Sequence, residues 1–208
     1  QKNKPKMKII AFTDTHGKTE NIAEIKKLVE KTKPDLLVCA GDFTNFGKRA
    51  IQQLNKFNFN LDLFFIPGNH EEGIKINNLN KNFSNIHKTT KEFNGVLFVG
   101  CGGGVYGDIE LNLEECSDKL EKEINLFKSK NENGKIIFVT HRPPKNTKLD
   151  YMKKISTHVG AENISKFIKK NLIDVAISGH IHETSGKIDK LNKTKLYNPG
   201  PKGRLIRV

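Results

Sequence analysis

Lys8-Ile9-Ile10-Ala11-Phe12 runs directly into Thr13-Asp14-Thr15-His16-Gly17, and how that junction is read decides the fold. A short run rich in β-branched and aromatic residues fits a buried strand. It stops abruptly on an acid, an imidazole and a glycine. The same event recurs along the chain. Apolar runs at 35–39, 62–66, 135–139 and 174–177 give way to Gly41-Asp42, Gly68-Asn69-His70-Glu71, Thr140-His141-Arg142-Pro143 and Gly179-His180-Ile181-His182. Two further runs, at 96–99 and 195–197, read as strands without such an ending. Ligands of α/β sheets gather beyond the carboxyl ends of strands, so five polar strand ends point to one shared site.

Between these runs lie apolar faces at helical spacing. One is Ile22, Ile25, Leu28 and Val29, a second is Leu113, Leu120, Ile124 and Phe127, and a third is Ile164, Phe167 and Ile168. Strands alternating with helices define the α/β class. The segment 77–94 is rich in Asn, Lys and Thr with weak periodicity, and is expected to be loop or an irregular excursion. The absence of internal repeats excludes solenoids and coiled coils. A chain of 208 residues can bury roughly 70% of its unfolded surface without disulfides or partners, so one domain over 7–208 is expected. Residues 1–6 read as a tag remnant or a disordered basic arm.

The formal charge is +13, yet the lysines are scattered. That pattern reads as a solvated basic surface that steers anionic substrates; nucleic-acid contact is the less favoured reading. Cys39, Cys101 and Cys116 have no zinc-ribbon or disulfide spacing and read as small hydrophobes in a reducing compartment, Cys101 within a glycine-rich turn. No apolar run approaches the roughly 20 residues that span a bilayer, and no leader-type apolar region opens the chain, so a cytoplasmic protein without a membrane segment is expected.

In an extended segment residues i and i+2 point the same way, so Asp14 with His16, and His180 with His182, can enter one cleft together. Imidazole, carboxylate and amide donors without thiolate suit Mn²⁺, Fe, Co²⁺, Ni²⁺ or Zn²⁺. As an ordered set over nearly the whole chain, these motifs resemble the calcineurin-like metallophosphoesterase superfamily. The resemblance implies a four-layer α-β-β-α sandwich with two mixed sheets and a pair of divalent metal ions. It assigns Asp14, His16, Asp42 and His182 to one ion, and Asp42, Asn69, His141 and His180 to the other, with Asp42 bridging. Two ions so placed acidify a bridging water, whose hydroxide attacks phosphorus in line. His70, to which no metal is assigned, is then the general acid that protonates the leaving oxygen.

The protein phosphatase branch follows its Gly-Asp motif, two residues later, with Asp-Arg-Gly, whereas this chain has Asn45-Phe46-Gly47. The arginine that would clamp a phosphomonoester is missing there, so protein phosphatase activity is not expected, and Asn45 is a candidate to orient His70. His141-Arg142-Pro143-Pro144, Thr147-Lys148-Leu149-Asp150, His158-Val159-Gly160 and Asn198-Pro199-Gly200-Pro201 are similar to the Icc-like small phosphoesterases and the metallophosphoesterase-domain brain proteins. That likeness implies hydrolysis of small, nucleotide-like or other phosphodiesters, with His158 a candidate substrate contact. Some animal relatives replace the equivalent of His180 by glycine; this chain keeps it. The glycine-rich 100–104 lacks the ending of a P-loop and reads as a strand-end turn. A phosphomonoesterase, a nuclease acting on short ends and a non-enzymatic scaffold are the competing readings.

Overall fold

The computed structural model describes residues 6–77, 79–104 and 109–208. The first half of the chain forms β1 (Lys8–Phe12), α1 (Thr19–Thr32), β2 (Leu36–Cys39), α2 (Ala50–Asn55), β3 (Leu63–Phe65), β4 (Phe83–Asn85), β5 (Thr89–Phe93) and β6 (Val96–Cys101). The second half forms α3 (Leu111–Lys130), β7 (Lys135–Thr140), β8 (Tyr151–Met152), β9 (Thr157–His158), α4 (Glu162–Lys170), β10 (Val175–Ile177), β11 (Ile188–Leu191), β12 (Thr194–Tyr197) and β13 (Arg204–Arg207).

Two mixed sheets result. One has the order β13-β1-β2-β3-β4 and is parallel except for β13. The other has the order β11-β12-β10-β7-β6-β5, parallel in its centre with antiparallel edges at β11 and β5. Alternation along each strand sorts side chains between two faces. Ile9, Ala11, Leu36, Val38 and Phe64 of the first sheet meet Phe98, Ile137, Val139, Val175 and Ile177 of the second in one buried cluster. Their neighbours Ile10, Phe12, Leu37 and Phe65 turn outward and pack with Ile22 and Ile25 of α1 and Leu54 of α2. Leu97, Val99, Ile136 and Phe138 turn outward on the other side, toward α3 and α4. The layers are therefore helix, sheet, sheet, helix, as expected. No described helix is long and apolar enough to cross a membrane.

The seven runs read as strands all fall in sheet strands. The segment 77–94 does not behave as expected, because it contributes β4 and β5. β5 is an edge strand with Lys91 and Glu92 exposed, so it carries no apolar run to betray it. A turn signal was available nonetheless. Asn94 and Gly95 both take positive φ, 51° and 77°, which is the two-residue hairpin geometry that Asn-Gly favours. Cys101 is likewise the last residue of β6 rather than part of a turn.

Phe98 is fully buried between the sheets, edge-to-face with Phe64 at 5.2 Å. Phe98→Ala should lower the unfolding free energy by about 3–5 kcal/mol, whereas Leu126→Ala on the solvent side of α3 should change it by less than about 0.5 kcal/mol. Urea unfolding of the metal-free protein measures both, and equal effects would contradict the inter-sheet placement.

Candidate metal centre

Five strands end at the same edge of the sandwich, and hydrogen bonds across the two sheets tie those ends together. His180 N–H donates to both Asp14 carboxylate oxygens at 3.2 and 3.1 Å, and His141 Nδ1 meets the Ala40 carbonyl at 2.8 Å. The backbone there is not extended. Asp14, His16, Asp42 and His180 all adopt left-handed φ, at 54°, 48°, 52° and 68°. Non-glycine residues take this conformation rarely, at a cost of roughly 1–3 kcal/mol each, and hold it where surrounding bonds enforce it. Here Asp14 N–H donates to Gly41 O at 3.1 Å and His16 N–H to Asp42 O at 2.9 Å. The expected i, i+2 projection from an extended segment is thus replaced by tight turns. His180 and His182 accordingly aim at different partners.

On one side, His182 Nε2 lies 3.6 Å from Asp14 Oδ1 and 3.2 Å from His16 Nε2. His16 Nδ1 lies 3.2 Å from the Thr44 carbonyl. A carbonyl only accepts, so Nδ1 carries the hydrogen and the Nε2 lone pair faces the cleft. On the other side, Asn69 Oδ1 sits 3.1 Å from His141 Nε2 and 3.0 Å from His180 Nδ1. Asp42 stands between the two, with Oδ2 3.4 Å from His141 Nε2 and 3.9 Å from His70 Nε2. Three compact donor groups follow among the described residues: Asp14 with His16 and His182, Asp14 with Asp42 and His141, and His16 with Asp42 and His70. All seven residues expected to hold metal are thus brought into one cleft, and His70 joins them. Glycines make the approach possible, since a Cβ on Gly68 would overlap the Asp42 carboxylate and one on Gly179 would overlap Thr13 Oγ1. Gly104 of the glycine-rich run borders the same cleft, against Asn69 and His141.

His70 differs from the other imidazoles. Its Nδ1 accepts the main-chain N–H of Phe46 at 3.1 Å, so Nε2 must carry the hydrogen. A ring nitrogen bearing hydrogen is a hydrogen-bond donor and not a lone-pair ligand. Asn45, expected to orient His70, has an exposed position one residue before the group that makes this bond. His158 lies outside the three donor groups. Its Nδ1 is 2.8 Å from Asp150 Oδ1, and that fully buried carboxylate also accepts the N–H groups of Asn146, Thr147 and Gly160. His158 lines a surface pocket of about 360 Å³ with Lys148, Tyr151 and Lys187.

Charges are strongly coupled in the cleft. Burial opposes ionisation of Asp42, but the facing His141 outweighs it and holds the carboxyl well below the usual range. Burial likewise opposes the cation on His141, yet the Asp42 carboxylate raises it to about 9. Burial and then the His141 cation push His180 down to about 4. His182 is raised by its bond to Asp14, and Asp14 is lowered in turn, against burial, by His182 and His141. Among these, burial lowers His16.

One residue without a role in the motif reading organises the turn. Glu71 is buried, and its Oε2 accepts the N–H groups of Asp42 at 2.9 Å and Gly68 at 3.0 Å. Its Oε1 accepts the Thr44 N–H at 2.8 Å and the Thr44 hydroxyl. Burial, joined by the nearby Asp42 charge, raises its pKa.

Comparison with known proteins agrees with this geometry. Residues 7–184 match the family described as calcineurin-like phosphoesterases. An uncharacterised protein of Methanocaldococcus jannaschii is 35% identical, over 96% of this chain and 91% of its own. A probable glycerophosphodiester phosphodiesterase of Arcobacter nitrofigilis is 26% identical, over 86% of this chain and 73% of its own. A solved structure from Thermus thermophilus superposes with a TM-score of 0.69 at 16% identity, covering 97% of this chain and 99% of that one.

Glu71→Gln keeps the shape but places an amide NH₂ against N–H donors. It should destabilise the protein by about 2–3 kcal/mol and weaken divalent-metal binding roughly 10–100-fold. Urea unfolding and metal titration read the two effects. Unchanged metal affinity would mean that the clamp does not position Asp42.

Proposed function

Because the chain belongs to the calcineurin-like phosphoesterase family, we propose that it hydrolyses small phosphodiesters at a centre of two divalent cations. In this reading Asp14, His16, Asp42 and His182 hold one ion, and Asp42, Asn69, His141 and His180 hold the other. The observation that carries it is the convergence of these side chains from five strand ends on Asp42. The hydrogen-bond partners of two of them support it further. Thr44 O and Ala40 O each take the Nδ1 side of a histidine, leaving Nε2 of His16 and His141 to the cleft. The donors are nitrogen and oxygen, which fits Mn²⁺, Fe, Co²⁺, Ni²⁺ or Zn²⁺. Bound in such a pair, the ions would supply an acidified water and charge to receive phosphoryl oxygens.

The chain's own residues supply the rest. Asp42 keeps its negative charge and offers two oxygens between the two sets of donors. His70 turns its Nε2–H into the cleft; as general acid it works from the imidazolium form, taking a proton from solvent on Nδ1, passing the Nε2 proton to the oxygen departing from phosphorus, and ending as the neutral ring. In the neutral ring the Phe46 N–H bonds to Nδ1 and leaves the hydrogen on Nε2, and that bond gives way when Nδ1 takes up a proton. Arg142 does not serve as a phosphate clamp, since its guanidinium donates to the carbonyls of Ile109 and Val159. Without a clamp a dianionic monoester gains less, which favours diesters. The diesterase name of the Arcobacter relative points the same way. His158, in its separate pocket, is assigned a remote contact with substrate. The three free, buried thiols fit a reducing compartment such as the cytoplasm.

Two experiments test these roles. His70→Ala should retain its metals and lose roughly 10²–10⁴-fold in rate on diesters with alkoxide leaving groups, with much less loss on a nitrophenolate ester. Loss of metal, or equal loss on both substrates, would reassign His70. The second concerns His141. Its raised pKa of about 9 keeps it protonated at neutral pH in the metal-free protein, so a metal must displace that proton. Affinity should therefore rise with pH until His141 deprotonates. Calorimetric titration of Mn²⁺ at about pH 7, in buffers of different ionisation enthalpy, should show release of at least one proton per chain. No release would contradict ligation through His141.

A further inference from the structure

Phe46 is built at a cost that the fold does not explain. It lies in the loop between β2 and α2, is 75% exposed, and adopts a left-handed φ of 50°. A bulky side chain is disfavoured there, and strain of this kind collects at functional sites. Its main-chain N–H holds His70, but any residue other than proline would provide that bond. The ring does something else. It stacks on the His70 imidazole, with centroids 4.3 Å apart and planes at 15°, so one face is covered and the other is open to solvent. Ile74, which is 37% exposed, packs over the adjoining Gly47. Lys48 and Arg49, the next residues in the chain after Gly47, are both exposed.

Proton transfer fixes where substrate must lie. An oxygen that receives the His70 proton sits within one hydrogen bond of that ring, so whatever it carries is delivered to the His70–Phe46 rim. An open aromatic face stacked on the histidine that meets the leaving oxygen suits a planar ring carried by that oxygen, as aromatic platforms do in single-stranded nucleic-acid recognition. We propose that Phe46 is the stacking platform for a nucleobase carried by the leaving alcohol, which makes nucleotide diesters the substrate class of this cleft. The inference rests on the reading of the cleft as a phosphoester site. Glycerol or alkyl leaving groups have no flat face to offer and would pass the platform by.

Binding tests this without turnover. In calorimetry on the metal-loaded protein, adenosine 5′-monophosphate should bind about tenfold or more tightly than ribose 5-phosphate. Phe46→Ala should abolish that ratio while leaving inorganic phosphate affinity within about twofold, and Phe46→Tyr should preserve the ratio. If the wild type does not discriminate, or Phe46→Ala still does, the platform is overturned while phosphate binding stands. If the metal-loaded wild type binds no phosphate at all, the phosphoester reading falls and the platform with it.

Discussion

The buried carboxylate of Asp42 meets two imidazoles on one side of its turn, while its own backbone amide is gripped by a second buried carboxylate, Glu71. Burying a carboxylate costs several kcal/mol unless charge and hydrogen bonds return it. For Asp42 that return comes from His141 and the N–H of His70, and for Glu71 from three N–H groups and a hydroxyl. The rest of the cleft inherits this arrangement. Glu71 fixes the loops after β2 and β3 in one relative position, so Asp42 and Asn69 cannot move independently. Protons on His141 balance the buried charge in the metal-free protein, and divalent cations would take over that role.

The sandwich explains why such a cluster can form. Each sheet is parallel at its centre, so the carboxyl ends of β1, β2 and β3 lie side by side, as do those of β7 and β10. The shared inter-sheet core, with Phe64 against Phe98, sets the two rows of ends at a fixed separation. Donors far apart in the chain then meet: Asp14 and His180 are separated by 166 positions and bonded through a main-chain amide. A close-packed interior transmits small shifts, which is why the site depends on the layer beneath it.

Much of this is legible in the residues. An apolar run that stops on Asp, His or Asn is a local pattern, and β1, β2, β3, β7 and β10 all display it. β5 escapes because an edge strand with one solvated face has no apolar run, although Asn94-Gly95 marks its hairpin. The role of Glu71 is hidden for a different reason. It acts by accepting amides up to 29 positions away, and no spacing rule encodes which N–H groups a carboxylate will find. The mode of convergence also differs from expectation: side chains of Asp14 and His16 enter the cleft through left-handed turns, which hydrogen bonds impose and sequence alternation does not predict. The partner of His70 lies one residue beyond Asn45, since a main-chain N–H leaves no signature in side-chain identity.

The central claim is a centre with two metal positions flanking Asp42. Anomalous diffraction from crystals of the Mn²⁺-loaded protein, measured at the metal edge, addresses it directly. Two peaks are expected, one among Asp14, His16 and His182 and the other among Asn69, His141 and His180, with Asp42 touching both. A single peak, or peaks elsewhere on the surface with this cleft empty, would contradict it.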